Sequence, residues 1–307
     1  MVLFVTGLCN NSCFYCPISE ERKGKDVVFA NEREVKCIED AVEEANAMSA
    51  EGIAITGGEP LLRLDRVIEF LKVFRDLHSH LYTSIPVKES VLSKLKHLDE
   101  IRFHPPELKN VEAYEESIKT AKKLGMEVGF EIPSIQFNEK IVEIANRLDV
   151  FLNLNELEFS STNYDNLINR GFKPNDHYGC SNCDGIIKAY AESVNKFHYC
   201  SAKFKDKAQL RRRLIRTAKN LPDFYIITRE GTVICGYIEG NSETIERFLQ
   251  SKGLKRNEDY VVVEKGVETS IEFVEKYLSE LKKLGTNVFI IERYPTSKRI
   301  VVEVNPL

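Results

Sequence analysis

The sequence lacks several features that would set the protein apart from ordinary globular chains. It contains no tryptophan, and no stretch approaches the roughly 20 apolar residues that a membrane-spanning helix needs. The opening residues lack the basic segment of a secretory signal, so we expect no targeting peptide, no membrane partner and a cytoplasmic location. The formal net charge of −4 over 307 residues neither indicates nor excludes nucleic acid as a partner.

Cysteine is the residue type that carries the most information in this chain. There are eight cysteines, and in a reducing compartment such residues serve as metal ligands or catalytic groups more often than as disulfides. Seven of them fall into two groups along the chain. The eighth, Cys37, stands beside Val35 and Ile38, so we interpret it as a small core or boundary residue.

Apolar, β-branched runs alternate with stretches of helical spacing over the first 160 residues. The runs are Val2–Thr6, Gly52–Thr56, Leu81–Val87, Glu100–His104, Glu127–Ile132 and Phe151–Phe159. The pair Asn31 and Glu34 resembles a capping box at the first helix. The alternation predicts an α/β fold with a parallel sheet, because parallel neighbours need crossover helices. Six units are too few for a closed eight-stranded barrel, so we expect a partial (β/α)6 TIM-like barrel over residues 1–160.

The pattern changes after residue 160. Residues 161–240 are predicted to form a cysteine-rich metal-binding segment with a hairpin at Phe224–Cys235, whose turn contains Gly231. Residues 241–307 are predicted to form a small α+β C-terminal module. Its expected elements are a helix over 243–253, a strand at Tyr260–Val263, a helix over 270–284, and strands at Asn287–Glu292 and Arg299–Val304.

The first cysteine group is Cys9-x3-Cys13-x2-Cys16, which follows the first strand directly. Ligands collect at the carboxyl ends of parallel strands, so this loop is predicted to lie at the functional edge of the sheet. Thiolates suit the iron of Fe–S clusters, and three of them can bind three corners of a [4Fe–4S] cube. The fourth iron would then be open to a small molecule. A zinc site and a ferredoxin-type cluster are the alternatives that the spacing leaves.

The segment that contains Cys9, Cys13, Tyr15 and Cys16, together with Gly57-Gly58-Glu59-Pro60 after the second strand, resembles the radical SAM superfamily. The resemblance covers roughly residues 1–160. Within the superfamily, the chain is most similar to the group related to pyruvate formate-lyase activating enzymes. Without that context, Gly57–Pro60 would be interpreted as a plain turn at the end of a strand.

The resemblance implies a specific site and reaction. Cys9, Cys13 and Cys16 would hold a [4Fe–4S] cluster whose open iron binds the amino and carboxylate groups of S-adenosylmethionine. Residues Gly57–Pro60 would hold the amino group, and Tyr15 would lie beside the adenine. Reductive cleavage would give a 5′-deoxyadenosyl radical that abstracts hydrogen from a protein, RNA or metabolite substrate. The electron would come from a donor such as ferredoxin or flavodoxin.

Three polar residues at strand ends are further candidates for this site. Thr83 ends the third predicted strand and Glu131 lies in the fifth, so each could contact the cofactor ribose. His104 ends the fourth predicted strand and could contact substrate. Packing within the core or rim of the sheet is the alternative role for each of them.

The second cysteine group consists of Cys180-x2-Cys183, Cys200 and Cys235. Four thiolates would complete a closed metal site, either structural zinc or an auxiliary [4Fe–4S] cluster. The hairpin sequence that ends at Cys235 resembles the cysteine-rich extensions of some radical SAM enzymes. Buried free thiols are the alternative.

Basic residues cluster between Lys203 and Lys219. A solvated surface helix is the simplest interpretation, and a phosphate-binding face is the sharper one. RNA is not favoured as a partner, since only Phe204 is available nearby to stack on bases. Two non-enzymatic functions remain as alternatives: a cluster-carrying electron-transfer protein and a zinc-stabilised RNA-binding protein.

Overall fold

The structure is a computed structural model that describes residues 1–307. The chain divides into two compact units. The N-terminal unit contains Met1–Ala45 and Ala50–Ala208, and the C-terminal unit contains Asn46–Ser49 and Gln209–Leu307. Residues 161–240 were predicted as one segment, but the boundary between the two units lies inside that segment, at residue 209.

One sheet organises the N-terminal unit. Its strands are β1 (Val2–Phe4), β2 (Phe29–Ala30), β3 (Arg33–Glu34), β4 (Gly52–Thr56), β5 (His78–Thr83), β6 (Glu100–Phe103), β7 (Glu127–Pro133), β8 (Phe151–Asn155) and β9 (Phe197–Cys200). The order across the sheet is β3-β2-β1-β4-β5-β6-β7-β8-β9. Neighbours from β1 and β4 through β9 are parallel, and β2 and β3 form an antiparallel hairpin beside β1. The predicted α/β fold with a large parallel sheet is confirmed.

The strands differ from the predicted ranges at their ends: β1 ends at Phe4 rather than Thr6, and β8 ends at Asn155 rather than Phe159. β5 begins at His78 rather than Leu81, because alternate residues from Ser79 onward are buried although the strand opens with polar side chains. β9 was not predicted. It is four residues long and partly exposed, so it contains no apolar run that would indicate a strand. Its pairing with β8 extends the parallel sheet beyond the six predicted units.

Helices connect the parallel strands. They are α1 (Ile38–Ala47), α2 (Leu64–Val73), α3 (Glu89–Leu92), α4 (Glu115–Lys123), α5 (Glu139–Arg147), α6 (Tyr164–Ile168), α7 (Asp184–Ser193) and α8 (Ala202–Phe204). Short 3-10 turns occur at Pro60–Arg63, Pro106–Leu108 and Val111–Tyr114, and a π-helical segment at Lys205–Leu210. The helices bury apolar faces against the sheet, as Ile118 of α4 and Ile144 of α5 show.

The predicted capping box at Asn31 and Glu34 is wrong. Asn31 has a φ of 53° in the turn between β2 and β3, and α1 begins only at Ile38. The N–H groups of Lys36 and Cys37 donate instead to the carboxylate of Asp40, at 2.9 and 3.1 Å. Cys37 is exposed rather than buried, because it precedes the helix whose buried face it was expected to join.

An antiparallel sheet organises the C-terminal unit. Its strands are β10 (Ile226–Ile227), β11 (Val233–Glu239), β12 (Tyr260–Val263), β13 (Gly266–Thr269), β14 (Asn287–Arg293) and β15 (Val301–Pro306). The order is β12-β13-β11-β14-β15, and β10 pairs with β11. Its helices are α9 (Arg211–Lys219), α10 (Ser242–Ser251), α11 (Ile271–Lys276) and α12 (Leu278–Lys283). Ile238, Ile245 and Val274 belong to the apolar core of this unit.

The C-terminal unit differs from the sequence prediction in three details. The helix expected over 270–284 is broken at Tyr277 into α11 and α12. The predicted hairpin is present, with a φ of 91° at Gly231, but Cys235 lies inside β11 rather than at a strand end. β13 was not predicted. No helix of either unit combines the length and apolarity needed to cross a membrane.

The segment after β1 folds back onto that strand. The N–H of Gly7 donates to the carbonyl of Lys25 at 2.8 Å, and a Cβ at Gly7 would lie 1.6 Å from the carbonyl oxygen of Arg22. The carboxylate of Asp26 accepts hydrogen bonds from Thr6 (2.8 Å), Arg63 (2.9 Å) and Arg66 (2.7 Å). Hydrogen bonding from Arg66 holds the pKa of Asp26 well below its ordinary value.

We predict that Asp26→Asn lowers the thermal stability of the chain at pH 7 by roughly 2–4 °C. Because the folded-state pKa of Asp26 is depressed, its contribution is present above the unfolded pKa of about 3.9 and is lost as pH falls towards the folded value. The difference in Tm between variant and parent should therefore shrink between about pH 5 and pH 3.

Differential scanning fluorimetry across this pH range tests the expectation. Glu20→Gln, which changes an exposed acid of the same loop, is the matched control and should melt with the parent. A Tm difference for Asp26→Asn that stays constant with pH would show that the ionised carboxylate is not the stabilising group.

Candidate active site

A cavity of about 530 Å³ opens at the carboxyl ends of the parallel strands of the N-terminal unit. Its wall includes most of the predicted site residues, which come from the loop after β1, the turn after β4 and the ends of β5, β6 and β7. They are Cys9, Cys13, Tyr15, Cys16, Gly57, Gly58, Pro60, Thr83, His104 and Glu131. Glu59 does not line the cavity and is 1% exposed.

The three cysteines of the first group share one loop. Cys9 is exposed, while Cys13 and Cys16 are partly buried. The N–H of Cys16 donates to the carbonyl of Cys13 at 3.1 Å, and the N–H of Asn11 lies 3.4 Å from Sγ of Cys9. Burial raises the pKa of the Cys13 thiol. A bound cation would offset that penalty, since a coordinating thiol is deprotonated by its metal.

No three His, Cys, Asp or Glu side chains are arranged to hold a single metal ion. A single zinc ion would need each of its ligands at about 2.0–2.3 Å. In a cubane cluster each thiolate binds a different iron. Three soft thiolates that face one cavity are the donor set that such a cluster takes.

Gly57 and Gly58 bring the turn after β4 against the cysteine loop. The N–H of Gly58 donates to the carbonyl of Thr6, and the N–H of Glu59 donates to that of Leu8, both at 2.7 Å. A Cβ at Gly57 would lie 2.4 Å from the Thr6 oxygen, and a Cβ at Gly58 would lie 2.4 Å from the Leu8 oxygen. Only glycine allows this approach. Gly57 and Gly58 therefore make their close contacts with the backbone of the cysteine loop.

Glu59 joins the ends of β4 and β5. Its carboxylate accepts hydrogen bonds from the Thr83 hydroxyl (2.8 Å), the Ser84 N–H (2.7 Å) and the Ser84 hydroxyl (2.6 Å). It also accepts from the N–H of Leu61 at 3.1 Å and caps the following 3-10 turn. The carboxylate is thus occupied by protein donors, and the hydroxyl proton of Thr83 is used in the same network.

A partly buried polar network holds Glu131 on β7. Its carboxylate accepts from Arg102 at 2.8 Å, from Asn153 at 3.1 Å and from Asn155 at 2.5 Å. Arg102 also pairs with Glu100 of its own strand. These three partners were not among the residues predicted from the sequence. The available signal was the spacing of two between Glu100 and Arg102 and between Asn153 and Asn155, which places each pair on one face of a strand.

Tyr15 and His104 connect the cysteine loop to the end of β6. The Tyr15 hydroxyl lies 3.0 Å from Nε2 of His104 and accepts from the N–H of Glu107 at 2.9 Å. Nδ1 of His104 lies 2.9 Å from the carbonyl oxygen of Glu131. Burial lowers the pKa of His104, which favours the neutral ring. Both ring nitrogens have protein partners, and the residue also lines the cavity, so a contact with substrate stays a prediction.

Two of the four cysteines that were predicted to form a second metal site are paired with each other in the structure. Cys180 and Cys183 are bonded to each other as a disulfide, and neither sulfur can then act as a thiolate ligand. Cys200 ends β9 and is buried, and Cys235 belongs to the C-terminal unit. A spacing of two residues suits a metal-binding pair and also a short disulfide, so the predicted metal site would require the reduced pair.

The basic stretch 203–219 is divided between the two units. Lys205 lines the cavity and forms an ion pair with Glu158 at 2.5 Å. The arginines that follow lie on α9, whose buried face consists of Leu214, Thr217 and Ala218. The predicted surface helix is therefore present at 211–219, and Lys205 is the basic residue that reaches the cavity.

Sequence comparisons identify the family. The family model for the radical SAM superfamily matches residues 3–148, and a family described as a domain of unknown function (DUF8061) matches residues 231–307. A protein of Methanocaldococcus jannaschii, provisionally named a glycyl-radical enzyme activating enzyme, is 38% identical over 338 aligned positions. The alignment covers 100% of this chain and 89% of that protein. This chain belongs to the radical SAM superfamily, whose members are enzymes that use a [4Fe–4S] cluster and S-adenosylmethionine.

Solved structures of Streptococcus suis SuiB are also similar. The S-adenosylmethionine-bound structure is 10% identical with a TM-score of 0.44, and the match covers 69% of this chain and 55% of SuiB. The structure with the precursor peptide SuiA is 13% identical with a TM-score of 0.46, over 65% of this chain and 48% of SuiB. This chain spans about half the length of the SuiB structures that it matches.

We predict that Gly58→Ala disturbs the cysteine loop. The new Cβ would have to displace the backbone oxygen of Leu8, which it would otherwise approach to 2.4 Å. After anaerobic reconstitution with iron and sulfide, the variant should retain less than half of the parent's iron, and its Tm should fall.

Gly185→Ala is the matched control. Gly185 lies in α7, and a Cβ there would meet nothing within 4 Å, so alanine should be neutral or stabilising by about 0.5–1 kcal/mol. Parent-like iron content in Gly58→Ala would show that the loop tolerates the shift and that the close approach is not required.

Proposed function

We propose that Cys9, Cys13 and Cys16 bind a [4Fe–4S] cluster and that the cavity beside them binds S-adenosylmethionine. The support is the donor set, three thiolates on one loop that line one cavity, together with the membership of the superfamily. When bound, the cluster would supply one electron for cleavage of the sulfonium C–S bond, which would release methionine and a 5′-deoxyadenosyl radical that abstracts hydrogen from substrate. A ferredoxin or flavodoxin would deliver that electron.

The residues around the cavity would orient the cofactor. The N–H groups of Gly58 and Glu59 are used by the cysteine loop, so the carbonyl groups of Gly57 and Gly58 would accept hydrogen bonds from the cofactor's amino group. Tyr15 would pack beside the adenine. A carboxylate has about four lone-pair sites, so Glu131, with three donors already bound, could still accept a ribose hydroxyl.

We further propose that the parallel sheet of the N-terminal unit is a curved, partial (β/α)6 barrel. The right-handed twist of parallel strands tends to curl a sheet of this width. Curvature would place the ends of β4 to β8 around the cavity instead of along a flat edge. Such a site would exclude water and competing quenchers from the radical.

A glycine residue of a partner protein is the substrate that we propose. The observation that carries this step is the 38% identity with the Methanocaldococcus jannaschii protein over the full length of this chain. The alignment extends beyond the cluster motif and spans the whole of this chain, including the C-terminal unit. RNA and small metabolites are the alternative substrates that the experiment must distinguish.

The cluster assignment predicts the effect of removing one ligand. Cys13→Ala should abolish the formation of 5′-deoxyadenosine from S-adenosylmethionine under anaerobic reduction with dithionite, because a cubane held by two thiolates is not retained. Cys37→Ala removes an exposed free cysteine outside the cavity and should match the parent. Product formation by Cys13→Ala at the parent rate would overturn the assignment of Cys13 as a cluster ligand. Absence of product from the parent protein itself would favour a protein that does not cleave the cofactor.

The substrate assignment is tested with isotope transfer. A candidate glycyl-radical enzyme labelled with α-deuterated glycine is incubated with the reconstituted enzyme and S-adenosylmethionine. Deuterium should appear in 5′-deoxyadenosine, and an organic radical signal should appear in the EPR spectrum. If 5′-deoxyadenosine forms at the same rate with and without the partner and carries no deuterium, a protein glycine is not the substrate.

A second metal centre at the remaining cysteines would require reduction of the Cys180–Cys183 disulfide, because thiolates and not disulfide sulfurs bind metal. Counts of iron and zinc after reconstitution with and without a strong thiol reductant address this. About four irons per chain under both conditions correspond to a single cluster. Additional metal that depends on the reductant would support a second centre.

A further inference from the structure

We propose that His104 is a positioning residue that fixes the phenol of Tyr15 and, through it, the Cys13–Cys16 turn. The inference rests on the proposed cluster site, because the turn matters for the reaction only if its cysteines hold the cluster. It assigns His104 a role in the protein that differs from the substrate contact expected from the sequence.

The direction of each hydrogen bond around His104 is determined by its partners. The N–H of Glu107 can only donate, so the Tyr15 oxygen accepts there at 2.9 Å. The phenolic proton is then available for Nε2 of His104, at 3.0 Å. The carbonyl of Glu131 can only accept, so Nδ1 carries the ring proton and donates at 2.9 Å. The neutral Nδ1–H tautomer satisfies every group, and no other tautomer does.

Tyr15 is restrained at both ends. Its carbonyl accepts from Nδ2 of Asn163 at 2.9 Å, and its ring packs edge-on against Phe14, with centroids 5.0 Å apart. Tyr15 stands between Cys13 and Cys16, whose backbones are joined by the 3.1 Å bond from the Cys16 N–H to the Cys13 carbonyl. Tyr15 therefore lies inside the turn that joins the two cysteines. Its hydroxyl contacts His104, and it also forms a side-chain hydrogen bond with Cys13.

The segment that donates to Tyr15 is held in an unusual backbone conformation. Glu107, Leu108 and Asn110 have φ values of 51°, 56° and 52°, in the left-handed region that non-glycine residues rarely adopt. Such strain persists only where surrounding contacts impose it. The N–H of Glu107 donates to the Tyr15 hydroxyl, so the strained segment and His104 both contact the same oxygen atom.

The expected consequence of losing His104 is selective. The three cysteines remain, so the cluster should still assemble and the iron content should stay at the parent value. The turn would no longer be held in one orientation, so the open iron and the adenine side of the cavity would be misaligned. We therefore expect weaker binding of S-adenosylmethionine at an unchanged cluster content.

Two substitutions separate the two ring nitrogens. In His104→Gln the amide oxygen can reach the position of Nε2 and accept from Tyr15, whereas in His104→Asn the shorter amide can replace only the Nδ1 donor. S-adenosylmethionine is titrated into the dithionite-reduced, reconstituted proteins, and the perturbation of the cluster's EPR signal is followed. We expect the apparent Kd to rise roughly tenfold for His104→Asn and to stay within about twofold of the parent for His104→Gln.

A double-mutant cycle shows whether His104 acts through Tyr15. Tyr15→Phe should reproduce the loss of affinity, and adding His104→Asn to it should cause no further loss. Equal losses in the two backgrounds, or no loss from His104→Asn, would overturn the inference. If His104→Asn does not fold, His104→Phe takes its place in the cycle, because it removes both ring nitrogens and leaves the hydrogen bond from Glu107 to Tyr15 intact. A parent protein that takes up no iron would overturn the cluster site itself, which is a different result.

Discussion

The approach of two backbones determines the geometry of the site. The turn Gly57–Gly58 lies against the loop that carries the three cysteines, and the two N–H groups that follow Gly57 donate to Thr6 and Leu8 at 2.7 Å. No side chain fits between them, since a Cβ at either glycine would lie 2.4 Å from a carbonyl oxygen. The position of the cysteines relative to the sheet therefore depends on a contact that only glycine permits.

Local patterns predicted the parts of the fold that depend on neighbours in sequence. The apolar runs predicted six parallel strands, β1 and β4 to β8. The rule that ligands collect at the carboxyl ends of parallel strands predicted the edge at which the cavity opens. Polar strands were less visible, so β9 was missed and β5 was started too late. The type of a single residue did not decide the local structure at Asn31, because asparagine suits both a helix cap and a left-handed turn.

Contacts between distant segments could not be predicted from one sequence. Glu131 was identified as a polar strand residue, but its partners Arg102, Asn153 and Asn155 lie 22 to 29 residues away along the chain. The Cys180–Cys183 pair illustrates an ambiguity of chemistry, because its spacing fits a metal and a disulfide equally well. The division at residue 209 depends on how the chain packs, which composition does not reveal.

The polar groups around the cavity share one property that suits radical chemistry. Glu59, Glu131 and His104 each have protein hydrogen-bond partners within 3.1 Å, so none of these side chains needs to move to find one. Fixed dipoles can hold a cofactor without reorganising during the reaction, and a rigid wall offers a reactive intermediate fewer alternative hydrogen donors. Hydrogen bonds link the cysteine loop to β8 in this way, from Tyr15 to His104, from His104 to the backbone of Glu131, and from the Glu131 carboxylate to Asn153 and Asn155, so the position of each group depends on its neighbour.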